Sequence, residues 1–352
     1  VGSEMCIRDR PSQPRRNIRF LPTKTTRIRL PLHRSERRPS RAYGSRKYAP
    51  RNAFFVMYIA YHPIYNHPVP DNHRFPMLKY ALLPQQLLYE GIAQPTDFHT
   101  PQKASPQSLC LVHHPDYVHR FIHLQLTHKE ALPIGFVQNE QLVERELTLV
   151  QGTIDGALWA LQHQQVAFNI AGGTHHAFSD RGEGFCMLND QAVAAGYLLA
   201  HTAVQRILII DLDVHQGNGT AQIFANDPRV FTFSMHAQHN YPFQKEQSSL
   251  DVPLPNGTTD EVYLRILQDT LPQLIAQHQP QFVFYQSGVD VLATDKLGKL
   301  SLSVEGCAER DKFVFQQCKA HQLPVQCAMG GGYSPQLRHI LRAHSNTFAV
   351  SE

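Results

Sequence analysis

Five short apolar runs, each followed by a loop of glycine and polar residues, constrain the fold of this chain more than any other feature. The runs occupy residues 166–170, 207–210, 230–233, 282–285 and 325–328 and are rich in β-branched or aromatic residues. This composition is typical of strands buried on both faces of a sheet. Because the carboxyl ends of parallel strands line one crevice in an open α/β sheet, the five loops are predicted to form one active site.

The segments between the runs carry helical patterns. Four of them are predicted helices, namely residues 139–162, 190–202, 260–277 and 304–320. The expected N-caps are Asn189 or Asp190, Thr259 and Ser303. Residues 61–84 lack such a pattern and are expected to be irregular structure at the rim of the crevice. The alternation predicts an α/β fold for residues 57–352, a single-domain parallel sheet with helices on both faces.

Composition indicates a chain that folds in water. With 42% hydrophobic residues it can bury a large core, and no window approaches the roughly 18 consecutive apolar residues of a membrane span. The six cysteines include no CxxC pair, and no leader with a small-residue cleavage site opens the chain. We therefore predict a cytoplasmic protein with no membrane partner, and its oligomeric state is open.

Residues 1–56 differ sharply from the remainder. They hold nearly half of the 33 lysine and arginine residues but only three of the 29 acidic ones, so the rest of the chain is acidic although the net charge is +4. A nucleic-acid-binding arm and an organelle transit segment are two interpretations. The opening ten residues resemble a translated sequencing adaptor, and Met57 directly precedes the first strand-like segment. We therefore interpret residues 1–56 as a disordered or non-native basic extension, and nucleic acid is an expected partner only if the extension is native.

A metal site is predicted from three residues. Asp213 and His215 lie two apart in an extended segment, so their side chains share a face, and Asp290 follows another buried run. One imidazole and two carboxylates leave a coordination position open, as a catalytic Zn²⁺ site requires. Oxygen-rich ligation also suits Fe²⁺ or Co²⁺, so the native metal stays open.

Two further loops carry groups for proton transfer and oxyanion binding. His175 and His176 follow a buried run and two glycines, and histidine titrates in the range needed to take a proton from water and give one to a leaving amine. Each ring needs a partner on its other nitrogen, and Asp211 and Asn218 are the candidates. Tyr333, after three glycines, can donate a hydrogen bond to a tetrahedral oxyanion. Together with the metal ligands, these residues predict amide hydrolysis.

These motifs together resemble the histone deacetylase family. The matching segments are residues 172–177, 182–190, 211–220, 287–290, 295–298 and 330–333. The resemblance begins near Tyr58, and residues 73–77 and 236–245 are most similar to the class IV and bacterial branch. It implies the arginase/deacetylase fold and a zinc-dependent hydrolase that removes acetyl or longer acyl groups from lysine side chains with a metal-activated water.

Position by position, the resemblance implies a role for each site residue. The zinc ligands are Asp213, His215 and Asp290. The catalytic residues are His175, His176, Tyr333, Asp211 and Asn218, with His176 as the principal base and acid and His175 as its neighbour paired with Asp211. The walls of the acyl-lysine tunnel are Phe185 and, as a looser match, Tyr241. A structural K⁺ or Na⁺ ion is implied at Asp211, Ser234 and the backbone around Asp213, His215 and Met235.

Two departures from the family and three alternatives bear on the substrate. Asn218 stands where the best-studied members have aspartate, and the acidic residue with which they hold the substrate backbone is missing around residues 133–136. A ureohydrolase needs a second metal ion and an aspartate at Gly217, so it is excluded. A non-catalytic acyl-lysine binding module would have lost a ligand, the base or the tyrosine, and none is missing. An acetylpolyamine or other small-molecule amide deacetylase stays open, because an acidic domain suits a cationic substrate.

Overall fold

The computed structural model describes residues 57–71 and 73–351, so the predicted N-terminal extension, residues 1–56, lies outside the described residues. The described residues contain an eight-stranded sheet whose strand pairs are all parallel. The strands are β1 (Tyr58–Ala60), β2 (Phe98–His99), β3 (Val166–Asn169), β4 (Ile207–Asp211), β5 (Val230–Ala237), β6 (Leu250–Leu254), β7 (Phe282–Gln286) and β8 (Val325–Ala328). Their order across the sheet is β2-β1-β3-β8-β7-β4-β5-β6. The predicted parallel α/β sheet is confirmed.

Helices connect most of these strands. They are α1 (Lys79–Glu90), α2 (Pro106–Leu109), α3 (Pro115–Ile122), α4 (His128–Ala131), α5 (Glu140–His163), α6 (Asp190–His201), α7 (Asn218–Ile223), α8 (Asp260–His278), α9 (Val304–Ala320) and α10 (Leu337–Ala349). The four predicted helices match α5, α6, α8 and α9 to within one residue at each end. Asn189, Thr259 and Ser303 are the N-cap residues of α6, α8 and α9 as predicted, although the side chain of Thr259 accepts no hydrogen bond from α8.

Burial along the central strands shows that both faces of the sheet are covered. Every residue of β4, β7 and β8 is buried, although successive side chains of a strand point to opposite faces. This is the environment that the apolar runs predicted. In the part of the chain described, no helix has the length and apolarity that crossing a membrane requires.

One prediction for the first part of the chain was wrong. Residues 61–84 were expected to be irregular, whereas α1 begins at Lys79. A helical pattern of Tyr80, Leu83 and Leu87 is present there, but Pro84 inside the helix removes a backbone donor and obscures it. Burial of that apolar face against the core stabilises the helix in spite of the proline.

The strand order explains how distant loops meet. β3, β8, β7 and β4 are neighbours in the sheet, so the loops that follow their carboxyl ends lie side by side. β5 pairs with β4 on the other side, in a register that sets Asp211 opposite Ser234. All five predicted loops therefore emerge at one edge of the sheet.

Candidate active site

Three predicted metal ligands lie together at this edge. Asp213 and His215 follow β4, and Asp290 follows the neighbouring β7. The Nδ1 atom of His215 lies 3.0 Å from Oδ1 of Asp213 and 3.1 Å from Oδ2 of Asp290. All three side chains are buried, and among residues 57–71 and 73–351 they form the one group of at least three His, Cys, Asp or Glu side chains close enough to share a metal ion.

The protein alone does not balance the charges of this group. Burial, with repulsion from Asp213, raises the pKa of Asp290 to about 7. Burial opposes a charge on His215, but hydrogen bonds and attraction from the two carboxylates raise its pKa to about 10. Oδ2 of Asp290 is buried without a well-aligned hydrogen-bond donor, which is costly for a carboxylate oxygen. A divalent cation would satisfy this oxygen, so the donor set fits a catalytic metal.

The backbone holds both carboxylates from behind. Gly331 donates its N–H to Oδ2 of Asp213 over 2.8 Å, and Val214 donates to Oδ1 of Asp290 over 3.0 Å. A Cβ atom on Gly331 would overlap the carboxylate of Asp290, so only glycine permits this approach. The glycine-rich loop after β8 therefore positions the predicted metal ligands and also carries Tyr333.

The two adjacent histidines have different partners. Nδ1 of His175 lies 2.7 Å from Oδ2 of Asp211, and Nδ1 of His176 lies 2.6 Å from Oδ1 of Asn218. The structure thus brings each ring to the partner that the sequence suggested. Because an amide oxygen accepts, Nδ1 of His176 carries the proton and Nε2 is the basic nitrogen.

The pKa values of the two rings are shifted in opposite directions. Burial opposes a charge on His175, but attraction from Asp211 and Asp213 outweighs it and raises the pKa. Burial holds the pKa of His176 well below its ordinary value, and neighbouring His175 and His215 lower it further. His176 is therefore neutral and able to accept a proton, whereas His175 is the ring more readily charged.

Tyr333 faces the same space. Its ring centroid lies 6.4 Å from that of His215, and its backbone N–H donates to Oδ2 of Asp295 over 2.6 Å. Burial, with repulsion from Asp290 and Asp213, raises the pKa of the phenol well above its ordinary value. The hydroxyl group therefore stays protonated and can donate a hydrogen bond.

Aromatic rings form an open tunnel above these groups. A cavity of about 260 Å³ is lined by Phe185 and Tyr241, the two predicted walls, and reaches His176, His215 and Tyr333. The hydroxyl group of Tyr241 donates to Oε2 of Glu183 over 3.0 Å, which fixes its ring. Phe75 and Phe136 were not predicted as part of the tunnel, and their rings pack 5.2 and 5.3 Å from that of Phe185. Their only signal was aromatic character in segments without regular periodicity.

A much smaller cavity continues inward. It has a volume of about 30 Å³ and shares His176, His215 and Tyr333 with the tunnel. This is space for about two water molecules or one small group. Arg145 also lines it, and there Nε donates to the carbonyl of Tyr65 over 2.9 Å and the guanidinium forms a buried ion pair with Glu146.

The monovalent-cation site stays a prediction. Its proposed residues are adjacent in the fold, since Asp211 on β4 pairs with Ser234 on β5. The hydroxyl group of Ser234 lies 3.0 Å from Nδ1 of His236, and Oδ1 of Asp211 accepts from the N–H of Asp213 over 3.1 Å. These contacts bring the predicted residues together without testing whether K⁺ or Na⁺ binds.

Two buried cations that support the loops were missed. Lys79 Nζ donates to the carbonyl of Gly330 over 3.2 Å and lies 5.7 Å from the ring of Tyr333, and burial lowers its pKa to about 8. Arg310 Nη1 donates to the carbonyls of Leu212 and Gly288 over 3.0 and 2.7 Å. The sequence did hold a signal for Arg310, because it interrupts the apolar stripe of α9.

Comparisons with known proteins agree with this geometry. A model of the histone deacetylase domain matches residues 72–348. An uncharacterised protein of Picosynechococcus sp. is 47% identical over 287 residues, which cover 82% of this chain and 95% of that protein. Histone deacetylase 2 of Arabidopsis thaliana is 29% identical over 314 residues, covering 86% and 81% of the two chains.

Solved structures show the same fold. The crystal structure of an HDAC homologue complexed with SAHA has a TM-score of 0.73 and 26% identity, over 84% of each chain. The HD domain of HDA15 has a TM-score of 0.72 at 21% identity, covering 84% of this chain and 88% of that one. The resemblance found in the motifs therefore holds for sequence and fold, while the class IV and bacterial branch stays a prediction.

Proposed function

Because the chain belongs to the histone deacetylase family, we propose that it is a metal-dependent amidohydrolase that removes acetyl groups from lysine side chains. One observation carries the proposal. A buried, under-satisfied group of Asp213, His215 and Asp290 shares a cavity with a neutral histidine and a neutral phenol. Metal-assisted amide hydrolysis uses a Lewis acid, a base and an oxyanion donor, and this arrangement supplies a place for each.

The metal ligands are assigned from the donor set. Asp213, His215 and Asp290 would hold the cation, with Zn²⁺ as the first candidate and Fe²⁺ or Co²⁺ as alternatives. When bound, this ion supplies Lewis acidity that polarises the scissile carbonyl and makes water a stronger nucleophile. Because the proton on His215 competes for the same position, we expect metal affinity to fall as pH falls.

His176 is the proposed base and acid. Its Nδ1–H is held by Asn218, so Nε2 is free to take a proton from the attacking water and to return one to the leaving lysine amine. His175, held by Asp211, provides charge beside it without being the principal proton carrier. The Tyr333 hydroxyl donates a hydrogen bond to the oxygen of the tetrahedral intermediate, which carries more charge than the ground-state carbonyl.

The inner cavity supports acetyl as the acyl group. With the amide beside His176 and Tyr333, the acyl chain points into the space of about 30 Å³. That space takes a methyl group but is too small for a long chain, and Arg145 and aromatic side chains line it. The apolar faces of Phe185 and Tyr241 would hold the lysine methylenes in the outer tunnel.

A direct assay tests the proposal. The full chain is loaded with Zn²⁺, Fe²⁺ or Co²⁺, and acid release is measured from peptides that carry acetyl-lysine or octanoyl-lysine. We expect acetate release that depends on the metal and a strong preference for acetyl. His176→Ala, checked for unchanged metal content, is the control for base catalysis. Absence of acetate release from the metal-loaded protein contradicts the proposed reaction, and equal rates on both peptides contradict the acyl assignment alone.

Cytoplasmic location also remains a proposal. Its structural support is that the five cysteines of the described residues, Cys110, Cys186, Cys307, Cys318 and Cys327, are free thiols. Unpaired cysteines are typical of a reducing compartment.

A further inference from the structure

The mouth of the tunnel carries a positive charge without a paired carboxylate in the described part of the chain. Among the side chains that line the cavity of about 260 Å³, Arg74 is the one with a permanent charge. Arg74 is exposed, and its guanidinium carbon lies 5.2 Å from the centroid of the Phe185 ring. Phe243 on the opposite loop is 90% exposed, so these two residues mark the solvent end of the cavity. No carboxylate of residues 57–71 and 73–351 forms an ion pair with Arg74.

Carboxylates near the mouth already have partners. Glu183 accepts hydrogen bonds from Tyr241 and from Nε of Arg181, both over 3.0 Å. Asp295 is half-buried and accepts from the backbone N–H groups of Leu297, Gly298 and Tyr333. Both carboxylates are therefore already held by donors of the protein itself.

The adjoining loops add positive charge. Lys245 Nζ donates to the carbonyl of Asn240 over 2.7 Å, and Lys299 Nζ donates to the carbonyl of His239 over 2.7 Å. Both lysines bind neutral carbonyl oxygens. The mouth is therefore apolar and positively charged, in contrast to the acidic balance of residues 57–352 as a whole.

We infer that Arg74 selects substrates with a carboxylate beside the acetylated amine; this inference rests on the proposed deacetylation. A substrate amide positioned at His176 leaves the rest of the substrate along the cavity that ends at Arg74. A carboxylate there forms a charge-assisted hydrogen bond with the unpaired guanidinium. A polyamine would instead place a second ammonium group at a mouth without a free carboxylate, so the polycationic substrate class is disfavoured.

Two sources can supply this carboxylate. One is the α-carboxylate of acetyl-lysine itself, either free or at the end of a chain. The other is an aspartate or glutamate next to acetyl-lysine within a peptide. The chemistry recognised by Arg74 is the same in both, and substrates that carry one or the other distinguish them.

The test compares kcat/KM across matched substrates with the full, metal-loaded chain. The peptides carry acetyl-lysine flanked by Ala, Glu or Lys, with both ends blocked, and free Nε-acetyl-lysine and an acetylated polyamine complete the set. We expect the Glu peptide, free acetyl-lysine, or both to exceed the Ala peptide by roughly threefold to tenfold, and the Lys peptide and polyamine to fall below it. The difference should lie in KM and shrink as salt is raised.

Variants of Arg74 test whether this residue causes the ranking of the substrates. Arg74→Gln should remove the ranking, and Arg74→Glu should reverse it. Lys319→Gln is the charge-matched control, because Lys319 is exposed and lies near Val166, the first residue of β3, at the amino ends of the strands. An unchanged ranking in Arg74→Gln overturns the inference and assigns Arg74 only to packing on Phe185. Hydrolysis without any ranking also overturns it, whereas no hydrolysis of any acetylated substrate defeats the proposed function on which it rests.

Discussion

Two buried charged clusters lie close together beneath the cavity, and they differ in how completely their polar atoms are hydrogen-bonded. The ligand cluster consists of Asp213, His215 and Asp290. The support cluster consists of Arg310, Asp311, Tyr285 and Thr347. Asp311 accepts from Arg310, Tyr285 and Thr347, with both carboxylate oxygens bonded. The ligand cluster instead leaves Oδ2 of Asp290 without an aligned donor.

This difference separates a structural role from a binding role. The guanidinium of Arg310 donates to the carbonyls of Leu212, Ser287 and Gly288, so the support cluster fixes the backbone beside two ligands. Its charges are used within the fold. The ligand cluster is also buried but has an unmet acceptor, and an unmet buried acceptor next to a cavity is a place for a ligand.

The largest expected effect is at Asp290. Asp290→Ala removes one of the three proposed metal ligands, and we expect loss of metal binding and of detectable deacetylation. The metal-free fold should be no less stable than metal-free wild type, because the substitution removes a buried carboxylate repelled by Asp213. Metal analysis, acetate release and thermal unfolding measure the three quantities. Full activity of a metal-free Asp290→Ala preparation would show that the ligand cluster is not a metal site.

The support cluster should respond in the opposite way. Arg310→Met leaves Asp311 as an uncompensated buried charge, and breaking a buried pair costs about 3–5 kcal/mol of unfolding free energy. Urea unfolding of the metal-free protein measures this loss. Lys312→Met, on an exposed part of the same helix, is the control and should change stability by less than about 0.5 kcal/mol. If the two variants are equally stable, the support cluster does not have the structural role assigned to it.

Tyr333 tests the catalytic side of the comparison without touching a ligand. Loss of one oxyanion donor lowers kcat by about 10² to 10³, which corresponds to roughly 3–4 kcal/mol. Tyr333→Phe should therefore keep its metal and its unfolding temperature while kcat falls by that factor. A variant with wild-type kcat on the preferred substrate would remove Tyr333 from the reaction.

The smallest effect is expected for a substitution of Asn218, the hydrogen-bond partner of His176. A carboxylate in place of Asn218 attracts the imidazolium and raises the pKa of His176, so the base becomes protonated at higher pH. Asn218→Asp should thus move the acidic limb of the kcat/KM profile to higher pH. Two alanine variants test the roles of the histidines themselves, and their effects are larger. His176→Ala should nearly eliminate turnover, and His175→Ala should be less damaging. An acidic limb that does not move, or the reverse order of the two alanine variants, would exchange the roles of the histidines.

The elements that sequence predicted well are those with strong local patterns. The strands beneath the site and the helices α5, α6, α8 and α9 have continuous apolar runs or clear helical spacing. The short β2, the half-buried β6 with Pro253, and α10 were missed. In α10 the buried face includes His344, Ser345 and Asn346, so polarity concealed a helix whose position the core determines.

By itself, the sequence determined which side chains follow the central strands and hence which groups meet at their carboxyl ends. That information is local, because a buried strand and the loop after it are encoded within about ten residues. Only the tertiary structure decided that Oδ2 of Asp290 lacks a donor, that the inner cavity measures about 30 Å³, and that Arg74 stands without a carboxylate partner among the described residues. These properties depend on distances between segments far apart in the chain. No periodicity or motif records such distances, because they are set by how the strands are ordered and how the loops pack over them.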